Sequence, residues 1–408
     1  MNRPLYINDF SLHCILGSDK ALVFEKLSKG ERGNFTSYDV AGVMRPAATI
    51  DPESLPPVSD KKFDNRVNRL SQASLENIDA TVRKAVGLFG PNRVGLFLGS
   101  CDNGSEASVA ALRCFKETGA FPEGYVLDYQ LADYPAKFIA ERFGITGMTS
   151  VHSTACASSA SAFVSARNNL YAGNCDVAIV GGVDIASLSV ILGFASLEAM
   201  SDKPTNPFSA NRSGLTLGDA SVFFVVTREP CAELCTPECR GLKVVGFGES
   251  ADADHITAPR ADGEGAYQAM KAALVDAGIE ASQIGYVNLH GTGTELNDAM
   301  ESRAVNRIFG EANHADVLVS STKALTGHTL GAAGALELAF CCLSLQSRDG
   351  ENNCTLPSHL FDGVVDPNLP PVHLVKPDEK VKNLIYCMSN SFAFGGCNVS
   401  LIVENNLA

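Results

Sequence analysis

The chain has 408 residues, 45% of them hydrophobic and 19% charged, which suits one large core or two fused ones and excludes a disordered protein. No run of about 18 apolar residues could span a bilayer as a helix, and the start MNRPLYINDF lacks a basic segment followed by a long apolar one. Neither a membrane span nor a signal peptide is expected, a cytosolic location is, and the net charge of −14 argues against nucleic acid, whose binding surface would leave a basic excess.

The chain opens on an apolar strand within INDFSLHCILG. In the following KKFDNRVNRL, Lys62, Arg66 and Arg69 fall at the i, i+4, i+7 spacing of a helix and are expected to present one basic face. Strands at 93–99, 176–182 and 221–226 are apolar on both faces and alternate with Ala-rich helices, which implies a sheet covered on each side. Between the first two of these strands, residues 153–159 (STACASS) open a helix that runs to about 173. Around 231–241 the chain breaks into a short Pro-bearing connection, dividing it into halves 1–240 and 241–408. Cys231, Cys235 and Cys239 lie here at intervals of four; no fourth Cys or His is near and the spacing is that of neither a zinc ribbon nor a finger, so they read as loop thiols. The other cysteines of the thirteen sit mostly in apolar contexts such as Cys341–Cys342, the pattern of buried reduced thiols. The second half repeats the alternation: strand at 242–248, helix at 264–277, strand at 286–289, helix from 296, strand at 317–320, helix at 331–346.

Cys156 stands out chemically. It lies in a turn of small residues before a helix, where backbone N–H groups stabilise a thiolate or an oxyanion and where a substrate carbonyl has room. Two later segments, NLHGTGT at 288–294 and STKALTGH at 321–328, each follow a predicted strand with a polar, Gly-bearing turn that carries a histidine. His290 and His328 are 38 residues apart with no acidic or His partner at ligand spacing, so no metal site is expected.

Six segments occurring in order make the chain resemble the β-ketoacyl-acyl-carrier-protein synthases, closest to the ketoacyl synthase I and II group. They are TACASS at Cys156, NPFSANRSGLTLGDA at 206–220, HITAP at 255–259, NLHGTGTELND at 288–298, STKALTGHTLGAAGALE at 321–337 and SNSFAFGGCN at 389–398. The resemblance implies an α/β thiolase-like fold, five-layered α/β/α/β/α with two similar halves. It implies that Cys156 carries the acyl group and that His290 and His328 donate hydrogen bonds to the enolate formed when malonyl thioester loses carbon dioxide. Lys323 and Glu337 match a buried charged pair that orients the histidines. Phe394 matches a residue that gates the acyl channel and lends its N–H to the oxyanion hole. Thr292 and Thr294 match positions that bind the phosphopantetheine arm, which arrives with the carrier, so no separate cofactor is needed. An acyl carrier protein is the implied partner, docking through Lys62, Arg66, Arg69 and Arg212, and the chain is expected to pair as a homodimer or with a related subunit.

Three departures leave that set intact. Ala393 stands where Gly is usual and is expected to stiffen the gating loop, Glu295 stands where Pro is usual, and Cys397 where Thr is usual. With the short first strand they raise a specialised polyketide or polyene ketosynthase as the alternative to a fatty-acid synthase. A non-catalytic chain-length partner would lack Cys156, and a thiolase would lack the paired His motifs.

Overall fold

The computed structural model describes residues 3–310 and 317–406. Eleven strands form its main sheet: β1 (Leu5–Cys14), β2 (Val94–Gly99), β3 (Thr149–His152), β4 (Val177–Asp184), β5 (Ala220–Thr227), β6 (Leu242–Ala251), β7 (Ile284–Asn288), β8 (Leu318–Ser320), β9 (His373–Leu374), β10 (Tyr386–Phe392) and β11 (Cys397–Asn405). Their spatial order is β9-β8-β7-β10-β11-β6-β1-β5-β4-β2-β3. The two halves of the sheet join where β1 meets β6, and among the described residues that pairing is Leu5↔Val244 and Tyr6↔Lys243. With the short edge strand β9 set aside, the strands on either side of that seam follow one scheme, third-second-fourth-fifth-first, with β2, β3 and β4 parallel as are β7, β8 and β10, and antiparallel pairs nearest the seam.

Period-two alternation of the strands sets the layers, because successive side chains point to opposite faces. In β5, Val222, Phe224 and Val226 enter the central core, where Phe224 meets Phe163 edge to face at 5.2 Å, whereas Phe223 and Val225 enter a second core with Val82 and Ile139. In β11, Leu401 and Val403 face the central core and Ile402 joins Met270 and Ala273 in a third. Helices Ser158–Tyr171 and Ala333–Gln346 fill the central layer between the two sheet halves, and helices such as Arg66–Leu75 and Glu264–Ala277 cover the outer faces.

Small residues let the two central helices come close. A Cβ on Gly99 would sit 2.2 Å from the Ser159 nitrogen, and one on Gly334 would sit 2.9 Å from the Ala160 Cβ. Both glycines therefore let the start of helix Ser158–Tyr171 press against β2 and against its partner helix, fixing the turn that bears Cys156. Among the described residues no helix is long and apolar enough to cross a membrane.

Candidate active site

Cys156 lies in the short turn Ala155–Ala157 that runs directly into helix Ser158–Tyr171. The preceding Ala155 is in the left-handed region at φ 49°, a conformation costly for a residue with a Cβ. Ser158 Oγ braces it, donating to the Ala155 carbonyl at 2.6 Å and accepting from the Thr154 N–H at 2.9 Å. The sulfur is buried, and burial pushes the thiol up to about 12, against the Lys323 charge and a hydrogen bond from the Phe394 backbone N–H. Desolvation outweighs both, and the resting group is a thiol.

His328 reaches the sulfur from the opposite side, its Nε2 3.0 Å from Sγ. The Leu330 N–H donates to Nδ1 at 3.3 Å, which leaves the ring proton on Nε2 and makes His328 a donor towards the sulfur. His290 stands edge to face with His328, ring centroids 5.3 Å apart. One ligand-type atom from each of Cys156, His290 and His328 lies within 4.8 Å of the others, and among the described residues no further His, Cys, Asp or Glu joins them. Burial, reinforced by the Lys323 charge, holds both histidines well below their ordinary value, so both are neutral at physiological pH.

Lys323 opens the short helix Lys323–Thr326, inserted between β8 and His328, where a simple turn was expected. Its ammonium is buried, pairs with Glu337 of helix Ala333–Gln346, and donates to the His290 carbonyl at 2.5 Å. The pair ties the turn carrying His290 to the central helix. Burial raises the Glu337 carboxyl to about 7 against the pull of Lys323.

Glu301 was not singled out from the sequence. It lies on helix Glu295–Val305 with both carboxylate oxygens aimed back at the histidine turn, accepting from the His290 N–H at 2.8 Å and the Gly291 N–H at 2.7 Å. Asp298, one turn earlier, does the same for Gly293 at 3.2 Å and for Phe208 at 2.8 Å. The acid pair at i, i+3 was the available signal, but in sequence it is indistinguishable from a solvated face.

Two cavities meet at Cys156. One, of about 500 Å³, is lined by His290, His328, Thr292, Thr294, Phe392 and Phe394; in it the Thr292 and Thr294 hydroxyls bond each other at 2.9 Å. The other, of about 470 Å³, is apolar, lined by Cys101, Val190, Phe194, Leu197 and Leu330. Phe394 borders both and stacks on Phe194 at 5.8 Å between centroids. Ala393 is extended at φ −103°, ψ 154°, where its Cβ imposes no strain, and the turn itself is made by Gly395 at φ 82° and Gly396 at φ 81°.

This combination, a buried thiol beside two neutral imidazoles where two cavities meet, fits an acyl-transferring condensing enzyme. Residues 49–232 match the β-ketoacyl synthase N-terminal domain and residues 242–354 the β-ketoacyl synthase C-terminal domain. The chain is 37% identical to 3-oxoacyl-[acyl-carrier-protein] synthase 2 of Vibrio cholerae over 64% of its own length and 63% of that protein. Its match to the synthase 2 of Staphylococcus aureus, at 29%, spans 99% of the chain and 98% of the relative. The ketosynthase ApeO of Xenorhabdus doucetiae, solved in complex with its chain length factor ApeC, superposes with a TM-score of 0.86 at 36% identity, over 99% of this chain and 98% of that one. A β-ketoacyl synthase of Burkholderia phymatum superposes at 0.85 with 27% identity over the whole of both chains. The chain belongs to the β-ketoacyl synthase family, and its α/β fold is the thiolase-like one that the motifs implied.

The expected basic docking face is corrected at the residue level. The helix starts only at Arg66, capped by Asn65, so Lys62 is outside it and bonds Glu141 at 2.9 Å. Arg66 is nearly buried and bridges Glu106 at 3.1 Å and Asp219 at 2.5 Å; Arg69 is held by Asp64 at 2.5 Å, and Arg212 by Asp366 at 2.6 Å. A buried carboxylate such as Asp219 has to be paired, and that requirement turned Arg66 inward. Arg66→Glu is therefore expected to cost about 3–5 kcal/mol of stability in denaturant titration. It should lower turnover equally on carrier-bound and carrier-free thioesters. Native-like stability with a loss confined to carrier-bound substrate would restore Arg66 to a docking surface.

Cys231, Cys235 and Cys239 are free thiols in the connection before β6, with the Cys231 sulfur 3.6 Å from the Glu233 carboxylate and the Cys235 sulfur 3.5 Å from the Thr236 carbonyl.

Proposed function

We propose that this chain is a 3-oxoacyl-acyl-carrier-protein synthase of fatty-acid or related biosynthesis, acting in the cytosol on substrates that arrive on the phosphopantetheine arm of an acyl carrier protein. The Cys156 sulfur attacks the acyl thioester carbonyl, its S–H proton passes to the departing carrier sulfur, and the carrier leaves as a thiol. Malonyl carrier then loses carbon dioxide, and the electron pair of the broken C–C bond moves into an enolate whose oxygen receives the N–H groups of His290 and His328. The enolate carbon attacks the acyl-enzyme carbonyl, whose oxyanion is met by the N–H groups of Cys156 and Phe394, and the Cys156 sulfur departs as a thiolate that takes a proton from solvent to restore the thiol. Thr292 and Thr294 line the arm's approach, the apolar cavity takes the acyl chain, and Phe394 gates it. Lys323 and Glu337 hold the His290 turn. On this reading residues 1–240 contribute the nucleophile and 241–408 the His/His/Lys set.

The observation that carries the proposal is the convergence of Cys156, His290 and His328 within 4.8 Å where the two cavities meet. Incubating the protein with malonyl carrier and a panel of acyl carriers and weighing the products tests it. A 3-oxoacyl carrier two carbons longer supports it; turnover of acyl carriers without malonyl decarboxylation opposes it.

A second reading is favoured by the 36% identity to a ketosynthase solved with its chain length factor. In it this chain is the catalytic subunit of such a pair in a polyketide or polyene pathway. The presence of Cys156 opposes the role of a non-catalytic partner subunit.

A further inference from the structure

Asp184 ends β4 with its side chain fully buried, and no step of the proposed reaction uses it. Its carboxylate gathers three backbone N–H groups from two separate loops. Oδ2 accepts from Cys101 at 2.9 Å and from Gly331 at 2.8 Å, and Oδ1 accepts from Asp102 at 2.9 Å. The first loop forms a wall of the apolar cavity through Cys101. The second is the turn whose Leu330 N–H donates to His328 Nδ1. Leu330 is in the left-handed region at φ 53°, which a leucine does not adopt without an external restraint. The neighbouring Gly331 N–H, bound to Asp184, is such a restraint. Gly331 is also the residue that fits: a Cβ there would lie 2.8 Å from Asp184 Oδ2 and 3.2 Å from the Cys101 sulfur.

The geometry points to Asp184 as a positioning residue that fixes the tautomer of His328. By anchoring Gly331 it holds Leu330 in its strained conformation, keeps the Leu330 N–H on Nδ1, and so keeps the ring proton on Nε2, facing the Cys156 sulfur. Removing the carboxylate altogether frees the Gly331 N–H with the other two and lets the turn relax, after which either ring nitrogen can carry the proton. The inference rests on the proposed role of His328 for its effect on rate, and on the fold alone for its effect on the tautomer.

Nitrogen NMR of histidine-labelled protein reads the tautomer directly. In the native protein His328 is expected as a single Nε2–H tautomer; a native Nδ1–H form would overturn the proposal, whatever the variants do. In Asp184→Ala the single-tautomer signature should be lost, with malonyl decarboxylation lowered by between about 10- and 100-fold and the KM for malonyl carrier nearly unchanged. Gly331→Ala presses on the same contact from the other side and should give the same spectrum, which keeps the test open if Asp184→Ala does not fold. An unchanged tautomer in a folded Asp184→Ala would refute the assignment. If Asp184→Ala scrambles the tautomer but His328→Ala decarboxylates normally, the positioning stands and the proposed reaction falls.

Discussion

Cys156→Ala is expected to end acyl-enzyme formation and lower condensation by about 10³-fold or more, because no other described thiol shares the site with both histidines. The fold should survive. Replacing a buried thiol by a methyl group leaves a small cavity and costs about 1 kcal/mol. Intact-protein mass after exposure to acyl carrier gives the first result and a denaturant titration the second. Retention of the acyl adduct in the Ala variant would remove Cys156 from the reaction. Cys101 borders the same apolar cavity but does not join the cluster of Cys156 with the two histidines, so it is not expected to substitute.

Removing His290 or His328 should act on a different step. In the proposed reaction each ring is a neutral donor to charge that appears only during decarboxylation, where one donor is worth about 10²- to 10³-fold. His290→Ala and His328→Ala should therefore lose carbon dioxide release from malonyl carrier by that factor while acyl loading of Cys156 falls far less. Loading abolished with decarboxylation intact would reverse the assignments. The pH dependence follows from the same burial. Both imidazoles titrate well below 6.5 in the folded protein, so decarboxylation should stay level as pH falls from 8 through 6.5, without the step an exposed histidine would give. Stability moves differently. The unfolded chain takes up those protons near 6.5 and the folded chain does not, so the contribution is complete above 6.5 and declines as pH drops below it. A decarboxylation rate that titrates near 6.5 would mean either that one ring is solvated and charged there or that the carboxyls of Glu337 and Glu301, raised by burial to about 7, act on the rate through the His290 turn.

Much of this was legible in the order of residues. The strand runs 93–99, 176–182 and 221–226, apolar on both faces, required a sheet covered on each side, and β2, β4 and β5 lie between cores on both faces. A small-residue turn before an Ala-rich helix marked Cys156, and Gly-bearing turns after short strands marked His290 and His328. Where the reading failed, burial decided. Lys62, Arg66 and Arg69 share a helical spacing, but spacing does not say that Asn65 starts the helix after Lys62 or that Asp219, 153 residues away, draws Arg66 inward.

By itself, then, the sequence determined the kinds of groups and their local settings: a nucleophile at a helix start, histidines in turns, alternating strands and helices. These depend on neighbours a few residues apart, through backbone geometry and side-chain periodicity. Only the tertiary structure decided what those groups are to one another. Cys156 and His328 are 172 residues apart in the chain and 3.0 Å apart in space. Two sheet halves of the same strand order, packed on one central helical layer, deliver their turns to a common point. That packing also removes water from the site, and the loss of water sets which groups are neutral, which must be paired, and which backbone N–H groups Asp184, Asp298 and Glu301 must bind.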